Sequence, residues 1–261
     1  MTFRRFPAGR YWSYELDGDR VKSVTTVISG GIPKPNLITW AARLAAETLA
    51  DHADELADPD KRDAALDWAI GAHTRARNSQ AAKGSDIHGY AQRLAGGEHV
   101  DVPDRHAAYV DAYLKWIEEW QPEYLAIEAG VANRRWTYAG SIDLLANIGS
   151  ERNRLCALVD IKTGASGIWP EACLQVAAYR QAEVILDPAG HEQPMPHTDE
   201  GLGLWLRDDG NYELVRLESG DDMFKVFLHA RQIAAFMSRA KDDLIGLPMA
   251  APAKPYEEVA S

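Results

Sequence analysis

Apolar positions along this chain of 261 residues change period twice, from helical spacing to strand-like runs and back. Between residues 124 and 161 the runs are short and rich in β-branched residues, as in Tyr124-Leu-Ala-Ile-Glu-Ala-Gly-Val131, Tyr138-Ala-Gly-Ser-Ile-Asp-Leu-Leu-Ala146 and Leu155-Cys-Ala-Leu-Val-Asp-Ile-Lys-Thr-Gly164. Such runs predict core strands, the last of them covered on both faces. The polar, Gly-containing segment from Asn147 to Arg154 predicts a hairpin joining the second and third strands as antiparallel neighbours.

Helices are predicted on both sides. Leu37, Trp40, Leu44 and Leu49 form a stripe after the breaks at Pro33 and Pro35, and Val110, Leu114 and Ile117 form another after Pro103. From Pro59 to Ala82 the chain reads as one polar helix with Asp58 as N-cap. Ser85 reads as the N-cap of a helix that carries His88, and Pro170 opens a helix whose face shows Glu171, Gln175 and Tyr179 one turn apart. Tyr11 to Glu15 and Val21 to Ile28 flank Asp17-Gly-Asp19 as a hairpin, Leu202 to Leu206 and Tyr212 to Leu217 form a later strand pair, and a helix with Phe224, Phe227 and Leu228 on one face closes the domain. The pattern is that of an α/β protein: a central mixed β-sheet flanked by helices, with helical N-terminal additions. It divides into a hairpin and helices over 1–83, a core over 84–185, strands and a helix over 200–240, and a flexible tail over 249–261. The stretch from Asp187 to Glu200 reads as a loop with His191 and His197 on the surface, and Trp40, Trp116 and Trp205 read as core.

Two charges break the apolar pattern of the third strand. Asp160 and Lys162 stand at its end, and side chains two apart share a face, so an acid and an ammonium meet at one place. Asp143 holds the equivalent position in the neighbouring strand, within reach of Asp160 across the pair. Carboxylates this close repel unless a cation neutralises them, and hard oxygen donors without a thiolate favour Mg2+ or Mn2+. Glu128 and His88 are further candidates for the same shell.

The residues His88, Glu128, Gly140-Ser-Ile-Asp143, Asp160-Ile-Lys162 with Thr163-Gly164, and Gln175 followed by Tyr179 occur in an order that resembles the successive motifs of the PD-(D/E)XK nucleases, in particular the RecB-like branch with its phage exonucleases and CRISPR-associated adaptation nucleases. The resemblance runs from about Gly84 to Glu183. It implies a restriction-endonuclease-like core and a metal-dependent DNA exonuclease that uses one or two Mg2+ or Mn2+ ions. By the same resemblance, Asp143 and Asp160 are the central metal ligands, His88 and the main-chain carbonyl of Ile161 add to the metal site, and Glu128 assists. Lys162 positions the attacking water and offsets transition-state charge, while Gln175 and Tyr179 steady Lys162, the helix or the strand of DNA. Implied partners are single- or double-stranded DNA ends, further copies of the chain, and a recombination or replication protein of phage type. An endonuclease or adaptation nuclease is the enzymatic alternative, a hydrolase of another phosphate ester a further one, and a non-catalytic DNA-binding recombination protein the alternative of another class. The costly charges kept together at Asp143, Asp160 and Lys162 argue against that last reading.

Composition narrows the picture. The chain has two cysteines, Cys156 and Cys173, too few for the four-cysteine iron–sulfur cluster of some relatives, and both read as reduced thiols of a cytoplasmic protein, in a bacterial host cell if phage-encoded. No long apolar segment or secretory leader is read, so no membrane role is expected. A net charge of −11 argues against electrostatic coating of nucleic acid, leaving local basic groups at Arg75, Arg77 and Lys83 and at Arg134 and Arg135 as the expected guides for DNA.

Overall fold

The computed structural model describes residues 2–9, 11–150, 152–239 and 241–249. The predicted tail beyond 249 lies outside them. The chain opens with strands β1 (Phe3–Ala8), β2 (Tyr11–Leu16) and β3 (Asp19–Ser23), followed by helices α1 (Val24–Gly31), α2 (Pro35–Asp51), α3 (Ala53–Ala57), α4 (Arg62–Ile70), α5 (Ala72–Ala95) and α6 (Asp104–Trp120). Strands β4 (Glu123–Asn133), β5 (Tyr138–Ile148) and β6 (Leu155–Lys162) come next, then α7 (Glu171–Arg180), β7 (Val184–Leu186), β8 (Glu192–Pro194), β9 (Glu200–Leu206), β10 (Tyr212–Arg216), α8 (Asp221–Met237) and α9 (Lys241–Leu244).

The strands form one mixed sheet whose organising element is β5. One edge of β5 pairs along its length with antiparallel β4. The other edge is shared: β3 pairs in parallel at Tyr138 and Ala139, and β6 pairs antiparallel from Leu144 to Ile148. Beyond β6 lie parallel β9 and then β10, while β2 and β1 continue outward from β3. Asp17 and Gly18, both at positive φ, make the two-residue turn between β2 and β3, the backbone that an Asp-Gly pair accommodates in a twisted hairpin.

Three apolar clusters hold the layers together. On one face Leu145, Leu158 and Val131 pack against Val24 and Val27 of α1, Val176 of α7 and Phe227 of α8. On the other, Leu144, Val159 and Ile161 pack against Ile87 of α5 and Tyr113 and Trp116 of α6. Phe3, Tyr14 and Leu16 of the hairpin cover Ala132 and Ala139. Full burial of each large side chain contributes roughly 1.5–3 kcal/mol. Among the described residues no helix is long and apolar enough to cross a membrane.

Several predicted elements are placed differently. Val24 to Ile28 are helical rather than extended, because the Ser23 hydroxyl accepts from the Thr26 N–H and caps α1 against continuation of β3. The polar stretch from Pro59 to Ala82 is divided between α4 and α5 at Gly71, and Asp58 terminates α3 instead of capping a helix. Ser85 lies in the middle of α5, where its hydroxyl donates to the Ala81 carbonyl. Helix α2 buries none of its residues: Leu37 and Trp40 are exposed, since the helix rests on α4 and α5 and not on the sheet. Leu114 also faces outward, Trp205 is half-buried, and the loop from Asp187 to Glu200 contains the short strand β8.

Candidate active site

The strands that carry the acids are distorted where the acids sit. Ala129 is paired with Ile142 and Ile127 with Leu144, so Glu128 stands opposite Asp143. In regular strands residues two apart share a face. Here Ala129 and Ile142 belong to the cluster beneath α7, whereas Ile127 and Leu144 belong to the one beneath α5. Both strands therefore switch faces at the same rung. Glu128 takes a φ of 47°, a left-handed conformation that costs a non-glycine residue about 1–3 kcal/mol and marks a constrained position. The switch brings both carboxylates toward His88 on α5, and one ligand atom from each of His88, Glu128 and Asp143 lies within 4.8 Å of the other two.

Asp143 is fixed from two sides. Pairing between β5 and β6 runs from Ile148–Leu155 to Leu144–Val159, and where the strands part, Asp143 Oδ2 accepts the Ile161 N–H at 2.6 Å. Its other oxygen is 3.1 Å from His88 Nδ1. A carboxylate only accepts, so Nδ1 carries a proton; in the neutral form of the ring the lone pair is then on Nε2, the nitrogen that would take a cation.

Asp160 lies in register with Asp143 but turns to the α7 side and stands outside the group formed by His88, Glu128 and Asp143. Gln175 Nε2 donates to Asp160 Oδ1 at 2.8 Å, and Lys162 Nζ donates to Gln175 Oε1 at 3.3 Å. Lys162 Nζ also lies 2.5 Å from Asp160 Oδ2, a buried ion pair. Tyr179 is buried beneath β5, and a Cβ at Gly140 would lie 2.5 Å from its ring, so this site needs glycine for close approach rather than for its φ.

Electrostatics follow from this crowding. Burial raises the Asp143 carboxyl, but His88, Lys162 and the Ile161 N–H together bring it below its ordinary value. Burial likewise raises Asp160, which Lys162 offsets only in part. Glu128 is pushed up to about 7, by burial and then by the Asp143 charge. Burial opposes the charge on Lys162 and on His88, yet the neighbouring acids hold both above their usual values. A divalent cation fits the donor set of His88, Glu128 and Asp143: it would relieve the repulsion between the two carboxylates, and oxygen donors with one imidazole match magnesium or manganese.

The remaining predicted residues take other places. Ile161 contributes its N–H to Asp143, while its side chain is core. Glu171 pairs with Lys34. The basic residues are largely engaged: Arg75 lies 3.4 Å over the Trp68 ring, Lys83 donates to the Tyr109 hydroxyl, Arg134 makes two bonds to Glu192, and Arg135 lies over Trp136. Arg77 is exposed. Two cavities border the site. One of about 760 Å³ meets Lys162 and Gln175 and is walled by Ile32, Pro33 and Trp169. The other, of about 770 Å³, meets Glu128 and is lined by Arg5, Trp12 and Gln92. Arg5 was not anticipated from the sequence; its one signal is that it shares the inward face of β1 with buried Phe3.

No protein-family model matches the chain, and no curated protein matches it. A solved alkaline exonuclease from Laribacter hongkongensis overlays on 56% of this chain and 73% of its own, at 14% identity and a TM-score of 0.34. A likeness at that level carries no argument about function.

Proposed function

We propose that this chain is a divalent-metal-dependent DNA nuclease that hydrolyses phosphodiester bonds, with exonucleolytic trimming of DNA ends as its mode of action. The observation that carries the reading is the convergence of His88, Glu128 and Asp143, at a rung where two strands change face, next to the Asp160–Lys162 pair. Phosphodiester hydrolysis needs an activated water and neutralisation of charge on the phosphate, which a bound magnesium or manganese ion supplies. His88, Glu128 and Asp143 would hold that ion, with Asp160 beside them paired to Lys162. Lys162 is then available to orient water and to offset negative charge on the reacting phosphate. Gln175, bonded to both Asp160 and Lys162, keeps the two at one place. Tyr179 supports β5 from below through Gly140.

The exonuclease mode rests on the ordered motifs alone. The reading is tested by incubating linear and closed circular DNA with manganese and the wild-type chain or Asp160→Ala. Linear DNA should be degraded by the wild type only, with a loss of about a hundredfold or more in the variant, the scale of removing a group that stabilises the transition state. DNA binding should survive the substitution. Cutting of closed circles would replace the exonuclease by an endonuclease, and undiminished activity in Asp160→Ala would refute the assignment of the site.

A further inference from the structure

Arg5 occupies an inward-facing position of β1, sharing its face with buried Phe3, yet among the described residues no carboxylate lies within ion-pairing distance of it. A guanidinium has five N–H donors. Among the described residues the Arg5 side chain makes one hydrogen bond, from Nη1 to Ser141 Oγ at 2.9 Å, and that hydroxyl is itself 3.1 Å from the Tyr14 hydroxyl. The charge is nonetheless firmly held. Its Cζ lies 4.2 Å over the Trp12 ring, and its stem runs so close over Gly130 that a Cβ there would be 3.1 Å from Arg5 Cδ. Glu128, in the same cavity, acts on this part-buried cation through space but makes no ion pair with it among the described residues, so the guanidinium keeps donors for an added anion.

The space for that anion is the second cavity, about 770 Å³, where Arg5, Trp12 and Gln92 meet Glu128 of the metal-binding group. Gln92 lies one helical turn beyond His88 on α5, so the cavity continues directly from the site. Arg4, on the opposite face of β1, is already paired with Glu15, and Asp187 on the far wall is bound by the Ala189 and His191 N–H groups. Neither competes for the Arg5 fork. We infer that Arg5 is the anion-binding residue of this cavity and holds a phosphate of the DNA strand adjacent to the one hydrolysed. This rests on the nuclease reading. It gives the substrate strand a path across the site, with the reacting phosphate at His88, Glu128 and Asp143 and its neighbour under β1. Trp12 presets the guanidinium, and Ser141 fixes its roll, leaving the remaining donors free for the bidentate geometry that phosphate favours.

The test uses the full chain, a fluorescently labelled single-stranded oligonucleotide and a series of salt concentrations, comparing wild type with Arg5→Met, Arg5→Lys and Ser141→Ala. Arg5→Met should weaken binding and raise KM about 10- to 100-fold, as expected for a lost charged hydrogen-bond pair. The slope of log affinity against log salt should fall by about 0.7, the contribution of one phosphate contact on a single strand. Arg5→Lys should keep the slope and recover part of the affinity, and Ser141→Ala should give a smaller loss in the same direction. Manganese uptake should be unchanged in all of them, which also certifies that they are folded. Unaltered affinity and salt slope in Arg5→Met refute the inference; if that variant fails to fold, full affinity in both Arg5→Lys and Ser141→Ala does so. Loss of manganese uptake with an unchanged salt slope assigns Arg5 to Glu128 as a counter-charge and likewise refutes it. A wild-type chain that cuts DNA while Arg5→Met behaves identically refutes this inference alone, whereas a wild type that neither binds nor cuts DNA refutes the nuclease reading and this inference together.

Discussion

Glu128 is the residue on which the site spends most. It takes a left-handed backbone inside a strand and keeps a carboxyl near 7 instead of 4.5, through burial first and the Asp143 charge second. A carboxyl whose folded pKa is raised binds its proton more tightly in the folded chain than in the unfolded one. The stability it confers in protonated form is present at low pH and is lost as pH rises from about 4.5 to about 7. Glu128→Gln, which cannot ionise, should therefore gain stability relative to wild type over that window in the absence of metal. The gain should reach at most about 3.5 kcal/mol, since a tenfold change in proton affinity corresponds to about 1.4 kcal/mol. Urea unfolding in EDTA at a series of pH values measures it, and a difference that stays flat across the window contradicts this account of Glu128.

Among the elements, the tightest approach is between α1 and α8. A Cβ on Gly31 would stand 2.0 Å from the Ala230 carbonyl oxygen, a backbone atom that cannot turn aside. Gly31→Ala should part the two helices and cost about 1–3 kcal/mol, the usual range for overpacking, read as a lower midpoint of chemical unfolding. A variant as stable as wild type would show that the α1–α8 crossing is loosely packed.

The elements also show which features the sequence makes legible. The β5–β6 hairpin could be read because its signals are local: two apolar runs, a polar turn and an acid at the end of each. For the same reason the meeting of Asp160 and Lys162 could be read in advance, their shared face following from strand period alone. The start of α1 was hidden because β-branched Val24, Thr25, Thr26 and Val27 favour a strand, and one Ser23 hydroxyl outweighs them. The stripe on α2 gives a face but not a partner, and that face meets other helices rather than the sheet. The change of face at Glu128 and Asp143 depends on how β4, β5 and β6 are set against one another, a tertiary property that no period in any one strand encodes. It decides why Glu128 joins His88 and Asp143 while Asp160 faces α7.

For the whole molecule, the layers differ in how deeply they are anchored. Strands β5 and β6 are buried on both faces, whereas α2 and α3 bury no side chain. Amide hydrogen exchange should follow that difference, with slowest exchange at 142–148 and 156–161 and fastest among helical amides at 38–57. Equal protection in the two regions would contradict the packing described here. The net charge of −11 disfavours broad electrostatic attachment to DNA, and Arg75, Lys83 and Arg134 are engaged within the protein. On the proposed nuclease reading, capture of a strand would fall to His88, Glu128, Asp143 and their immediate surroundings.

The central physical claim is that side chains from α5, β4 and β5 share one divalent cation. Calorimetric titration of the full chain with manganese, beside the same titration of Asp143→Asn, tests it most directly. Asn keeps the size of the side chain and removes the charge that faces His88 and the Ile161 N–H. Saturable uptake by the wild type is expected, with its loss or severe weakening in the variant. Absence of manganese uptake by the wild type, or the same isotherm from both proteins, would contradict the claim.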